Sequence, residues 1–231
     1  MFVKDFRRVQ PLDTVSGEGC AMNLFPIFLR LEKRPCLVVG GGRISEGKIE
    51  GLLRAGARVR VVAPEATAKI RAWHREKKII WQKRPYRTNN LSKSFLVIAA
   101  TNSPELHRRI FRKARQLGVL CNIVDVPALC DFFYPAVVRR GPLQIAISTS
   151  GKSPALAKRL RQQLEEEFRP EYEAWLNQIA GERERVRALS LPPMERLRRL
   201  EDQVTAAAFN SFLKKHAHRD PRSQRTKRPK K

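Results

Sequence analysis

Short apolar runs alternate with amphipathic, helix-length stretches from Pro35 onward. The runs are Cys36-Leu37-Val38-Val39-Gly40, Val59-Arg60-Val61-Val62-Ala63, a brief Ile79-Ile80-Trp81, Phe95 to Ala100, and Val119 to Val124. Runs this short and this rich in Val and Ile predict strands buried on both faces of a mostly parallel sheet, with helices as the crossovers. The clearest helix start is Ser103-Pro104, where a hydroxyl can cap and a proline sits where its missing N–H costs nothing. That helix is expected to end near Gln116 to Gly118.

After residue 131 the rhythm shifts. Phe132 to Val138 and Leu143 to Ser148 predict two further strands around Arg139-Arg140-Gly141-Pro142. Ser153-Pro154 then starts a second capped helix, and the chain reads as helical to about Lys214 with a break at Ser190-Leu191-Pro192-Pro193. The expected division is a disordered extension over 1–21, a sheet domain over 22–148, a helical domain over 149–213 and a basic disordered tail over 214–231.

The first strand runs straight into Gly40-Gly41-Gly42-Arg43-Ile44-Ser45 and a helix follows to Ala55-Gly56, the order of a dinucleotide-binding βαβ unit. In such a unit Gly40 permits the tight turn, Gly42 lets a pyrophosphate approach the backbone, and the helix start supplies N–H groups and partial positive charge. Ser45 takes the third position of the fingerprint, small although not glycine. The second strand ends at Pro64-Glu65, which puts a carboxylate about 20 residues past the loop, where it can accept from a ribose hydroxyl. The fourth strand ends at Thr101-Asn102, on the ligand-binding side of an open α/β sheet. The expectation is a Rossmann-type fold binding NAD in preference to NADP, with Arg43 and Arg60 keeping NADP open, through Gly40, Gly41, Gly42, Arg43, Ile44, Pro64, Glu65, Thr101 and Asn102.

Composition adds a charge problem. Forty-seven Lys and Arg against 22 Asp and Glu give +25, and the segment Lys214 to Lys231 holds +8 of it. The rest is spread along the chain, which predicts an anionic partner of some kind. Cys20, Cys36, Cys121 and Cys130 form no C-x-x-C pair, so they read as reduced thiols, and the four histidines show no ligand pair, so no metal site is expected. No apolar run reaches membrane-span length and no leader pattern is visible at the start, which reads as cytoplasmic.

Three segments carry a resemblance: Cys121-Asn122-Ile123-Val124-Asp125, Phe132-Phe133-Tyr134-Pro135-Ala136, and Ile147 through Ser153-Pro154 to Ala157. With the opening Asn23-Leu24-Phe25-Pro26 and the glycine loop, in order and spacing, they resemble the siroheme synthase family over about 22 to 190, specifically its precorrin-2 dehydrogenase and ferrochelatase module. The resemblance implies NAD-dependent oxidation of precorrin-2 to sirohydrochlorin, in some members with Fe²⁺ insertion to give siroheme. It implies a homodimer in which the strands after the sheet and the helical region form the dimerisation and substrate domain. It places the acid/base carboxylate on Asp125, and a carboxylate just past a strand end, beside the cofactor crevice, suits that task. The substrate contacts it suggests are Asn122, Ser148, Thr149, Ser150, Gly151, Lys152 and Ser153, the last six leading into a helix start suited to an anion. Arg43, Arg139, Arg140 and Lys152 are expected near the cleft, since precorrin-2 is an acidic tetrapyrrole with eight carboxylates. The sequence departs from the family at Ser45, often Ala, at Gly47, often Arg, and at Val126, often a second Asp, while Lys48 is kept; Arg139 stands where some relatives are acidic.

Two other classes compete. A basic nucleic-acid-binding protein with this core would explain the charge, but no aromatic interleaving or reading motif accompanies it, leaving weak tail binding at most. A non-catalytic NAD-binding regulator would share the glycine loop and have no use for Asp125.

Overall fold

The computed structural model describes residues 23–216. A five-stranded parallel sheet is built from β1 (Pro35–Val39), β2 (Arg58–Val62), β3 (Ile79–Gln82), β4 (Leu96–Ala99) and β5 (Leu120–Ile123), in the order β3-β2-β1-β4-β5. The chain steps outward from β1 to β3, then crosses to the other side of β1 for β4. The loops after β1 and β4 therefore flank the point where the winding reverses, where ligands bind in such sheets. The crossovers are α1 (Arg43–Arg54), α2 (Ala68–Arg75) and α3 (Pro104–Leu117), with a short 3₁₀ turn at Thr88–Leu91.

Both sheet faces are covered, as the uninterrupted apolar runs require. Cys36, Val38, Val59, Val61 and Ile98 pack under Ile49, Leu52 and Ile70 of α1 and α2. On the other face Leu37, Val39, Val97, Ala99 and Cys121 meet Ile110 and Ala114 of α3. The Ser103 hydroxyl accepts the Leu106 N–H, Pro104 occupies the first turn, and Gly118 ends α3 in the left-handed conformation at φ 65°, all as the sequence predicts.

The remaining elements are β6 (Ala136–Arg140), β7 (Leu143–Ile147), α4 (Pro154–Glu167), α5 (Glu171–Ala188), α6 (Pro193–Asp202) and α7 (Ala206–His216). The described residues divide into two compact units, one of Phe25–Tyr134 and one from Pro135 onward. This boundary corrects the expected one at 148/149. β6 and β7 pair only with each other, as an antiparallel hairpin, so they belong with the helices that follow them. In that second unit the rings of Tyr172, Trp175 and Phe209 cluster, edge-to-face between Tyr172 and Trp175 and tilted in the other two pairs, with centroids 4.4 to 5.5 Å apart. The helical part also runs on through Lys214 to His216, past the expected start of the tail. The expected extension over 1–21 and the rest of the tail lie outside the described residues.

Candidate functional site

Parallel pairing sets three strand ends level: Val39 sits opposite both Val62 and Ala99. The Gly40 N–H donates to Val62 O at 3.1 Å and the Ala100 N–H to Val39 O at 2.9 Å, so the loops leaving β1, β2 and β4 open side by side. They bound a cleft of about 770 Å³, within the usual size of a ligand site. Its lining brings together Gly40, Gly41, Gly42, Arg43, Ile44, Pro64, Glu65, Thr101 and Asn102. Pro85, Tyr86 and Leu106 line it as well, and the sequence reading missed them. The only signal for Pro85 and Tyr86 was their place in the loop after the brief third strand.

The glycines differ in what they are for. Gly40 has φ +115°, and a Cβ there would lie 2.1 Å from Ala100 O; at Gly41 it would lie 2.1 Å from Glu65 O. These two residues let three loops approach one another. A Cβ on Gly42 meets nothing within 4 Å, and no side chain caps α1, so its first-turn N–H groups face open cleft. That cradle fits the pyrophosphate of a dinucleotide. Ser45, one turn on, is fully buried and its hydroxyl has no partner among the described residues.

Thr101 is held from behind. Its Oγ1 lies 2.9 Å from Nε2 of buried His107, which also lies 2.8 Å from Thr101 O. Tyr86 fills the core beneath the cleft, its hydroxyl unpartnered among the described residues, and burial pushes its phenol up to about 12.

Asp125 lies in the turn after β5, closed by the Val126 N–H donating to Ile123 O at 3.2 Å. Its φ of +62° is left-handed, and its side chain is exposed. Asp125 is outside the cleft lining but leaves the sheet at the same, carboxyl end. Lys48 of α1 reaches this corner, its Nζ 3.7 Å from the centre of the Tyr134 ring. Partial burial lowers the pKa of that ammonium, and the nearby Asp125 carboxylate opposes the shift. The sequence marked Lys48 only as a retained charge and gave it no task.

Two expectations are corrected. Asn122 is buried and its Nδ2–H donates to Phe132 O at 2.8 Å, so this amide fastens the strap after β5 instead of facing a substrate. Arg140 donates to Glu165 O at 2.7 Å and to Phe168 O, capping the end of α4, while Arg139 bonds Gln144 across the hairpin. Both arginines are engaged within their own unit.

In the second unit, Ser148 to Ser153 form a tight bend into α4, with Ser150 and Gly151 at φ 50° and 78°. Ser148, Thr149 and Ser153 hydroxyls accept from the N–H groups of Ser150, Ser153 and Leu156 at 3.1 to 3.2 Å. Each hydroxyl keeps its own O–H for another acceptor. Lys152 is exposed at the bend.

Residues 27–136 match the family model for an NAD(P)-binding domain, and residues 140–167 the model for the central part of sirohaem biosynthesis proteins. Siroheme synthase of Neisseria meningitidis serogroup C (strain 053442) is 45% identical over 144 residues, 62% of this chain and 30% of that protein. Siroheme synthase of Mannheimia succiniciproducens is 35% identical over 193 residues, 84% of this chain and 40% of that one. The chain thus spans less than half the length of these relatives. Among solved structures, the precorrin-2 dehydrogenase SirC superposes with a TM-score of 0.69 at 26% identity, covering 83% of this chain and 98% of that one.

Proposed function

This chain belongs to the siroheme synthase family, of which it carries the NAD(P)-binding and central modules, and from that premise we propose that it oxidises precorrin-2 to sirohydrochlorin with NAD⁺. The observation that carries the reading is the glycine cradle over α1 with a carboxylate, Asp125, leaving the sheet at the same end. The oxidation removes one hydride and one proton from the macrocycle. Bound NAD⁺ supplies the hydride acceptor. Gly42 and the first turn of α1 hold its pyrophosphate, and Glu65 accepts from a ribose hydroxyl, where a 2′-phosphate would meet like charge; this favours NAD over NADP.

Asp125 takes the proton, and the Lys48 ammonium stands at the same corner of the sheet. Arg43 at the cleft offers a cation to a substrate carboxylate, and the Ser148 to Ser153 bend of the other unit has hydroxyls and Lys152 suited to an anion. The net charge of +25 suits a substrate of many carboxylates. The working form is a homodimer, and Fe²⁺ is a further substrate if the chain also inserts metal. Among the described residues no helix is long and apolar enough to cross a membrane.

The test is anaerobic absorbance of the purified protein with enzymatically generated precorrin-2 and NAD⁺. One NADH per sirohydrochlorin is expected. Binding of NAD⁺ without NADH formation overturns the catalytic reading in favour of a regulator. Addition of Fe²⁺ afterwards reports chelation as a shift to siroheme faster than a protein-free control.

A further inference from the structure

At the opposite edge of the same sheet, where β1, β2 and β3 begin, lies a second cavity of about 420 Å³. A strand of five residues separates it from the dinucleotide cleft by roughly 15 Å. Its floor is apolar, with Ala57, Val59 and Ile79 buried. Its walls carry Arg58, Arg60, Lys77, Lys78 and Lys93, with the hydroxyls of Ser92 and Ser94, and no acidic side chain lines it among the described residues.

The two guanidiniums are fastened. Arg58 Nε–H donates to Lys33 O at 2.8 Å, and one Arg60 amino group donates to Asn90 O and to Ser94 Oγ. The other N–H groups of both have no protein partner among the described residues, so each arginine is pre-set with donors to spare. Lys77 and Lys93 stand in the left-handed region at φ 57° and 64°, in the turns that enter β3 and β4. Glycine is relaxed there and lysine is not, and the comparable turn into β5 uses Gly118. Lysines after a helix end also complement its dipole, and Lys78 pairs with Glu76 at 2.8 Å. That explanation covers Lys77 and Lys78, which follow α2. It leaves Lys93, after a 3₁₀ turn, without a reason, and the bonds of Arg60 to Asn90 O and Ser94 Oγ use one of its amino groups and leave the other free of a protein partner among the described residues.

We propose that this cavity is a second binding site, for an aromatic polyanion of about mononucleotide size, with its ring on the apolar floor and its phosphates or carboxylates on the cations. Fixed arginines provide paired donors and the lysines mobile charge, the combination that recognises such groups. Nothing in this site depends on the oxidation proposed above.

The test is calorimetric titration of the full chain, saturated with NAD⁺ to fill the cleft, with ADP in one arm and benzene hexacarboxylate in the other. The wild type is expected to bind one equivalent of at least one probe. The variant Lys77→Gly with Lys93→Gly is expected to bind it about tenfold more weakly or worse, while melting no lower than the wild type because glycine relaxes both turns. The variant Lys77→Gln with Lys93→Gln must show the same loss with the side-chain length kept. Binding of ADP alone identifies phosphate as the recognised group, and of the hexacarboxylate alone, carboxylate. A wild type that binds neither probe, or neutral variants that bind as the wild type does, overturns the proposal. Only the component lost in the variants counts, so a failure of NAD⁺ to occupy its cleft is told apart from a failure of this site.

Discussion

Asp125 sits in a left-handed turn, and this decides how its role is tested. Asparagine tolerates that conformation and alanine does not, so Asp125→Asn removes the charge without refolding the turn. The expected result is a fall in kcat of about 10²- to 10⁴-fold with NAD⁺ affinity unchanged, as for loss of a general base. Turnover equal to wild type would refute the assignment. Lys48→Met is expected to lower kcat with NAD⁺ affinity unchanged, because it removes the ammonium that stands over the Tyr134 ring at the Asp125 corner; an unchanged kcat would leave Lys48 a packing residue over Tyr134. Ser45→Ala removes a buried hydroxyl that has no partner among the described residues and should raise stability by roughly 1 kcal/mol in urea melts. At this scale the sequence was legible where placement at the cleft is local. Gly40 to Gly42, Glu65 and Thr101 are defined by position along one strand and its loop. Asn122 and Arg140 were misread because their partners, Phe132 O and Glu165 O, are supplied by folding and stand 10 and 25 residues away.

At the scale of elements, the strands of the parallel sheet and the serine-capped helices could be read from patterns of two to six residues, since burial on both faces and capping are local demands. The hairpin of β6 and β7 could be read as strands, but not assigned. Leu143, Ile145 and Ile147 are half-buried and alternate with exposed Gln144 and Ala146, a pattern that fits either sheet. Only the pairing, set by tertiary contacts, puts it with the helices. Burial in β1 and β5 also has a measurable consequence. It pushes the Cys36 thiol up to about 11 and Cys121 to about 12, from an ordinary value of 9.0. Above that ordinary value the unfolded chain releases protons that the folded chain keeps. The stabilising contribution is therefore complete below about pH 9 and is lost as pH rises toward the folded values. Urea midpoints should fall between pH 9 and 11, and less steeply in Cys36→Val with Cys121→Val; identical slopes would show that these thiols are not responsible.

For the whole molecule, the net charge was legible and its placement was not: composition cannot say that Arg58, Arg60, Lys77, Lys78 and Lys93 gather at the amino edge of the sheet. Nor does the apolar content reveal how unevenly the core is divided. The sheet unit has two large buried clusters. The unit from Pro135 onward has, among its described residues, only Val138, Ala157, Val186 and Phe212 as buried hydrophobics, while Leu156, Leu189, Met194, Leu197 and Val204 are exposed. So small a buried set does not offset the chain entropy of two strands and four helices, since each ordered residue costs on the order of 1–2 kcal/mol. A second copy of the chain covering these faces would supply the missing burial, and this is the physical ground for the proposed homodimer. Folding coupled to association makes stability depend on concentration. The melting temperature should therefore rise with protein concentration over the micromolar range, and sedimentation equilibrium should give twice the 26.6 kDa chain mass. Sedimentation as a single chain, with a melting temperature independent of concentration, would show that the second unit is stable alone and remove the dimer from the proposed working form.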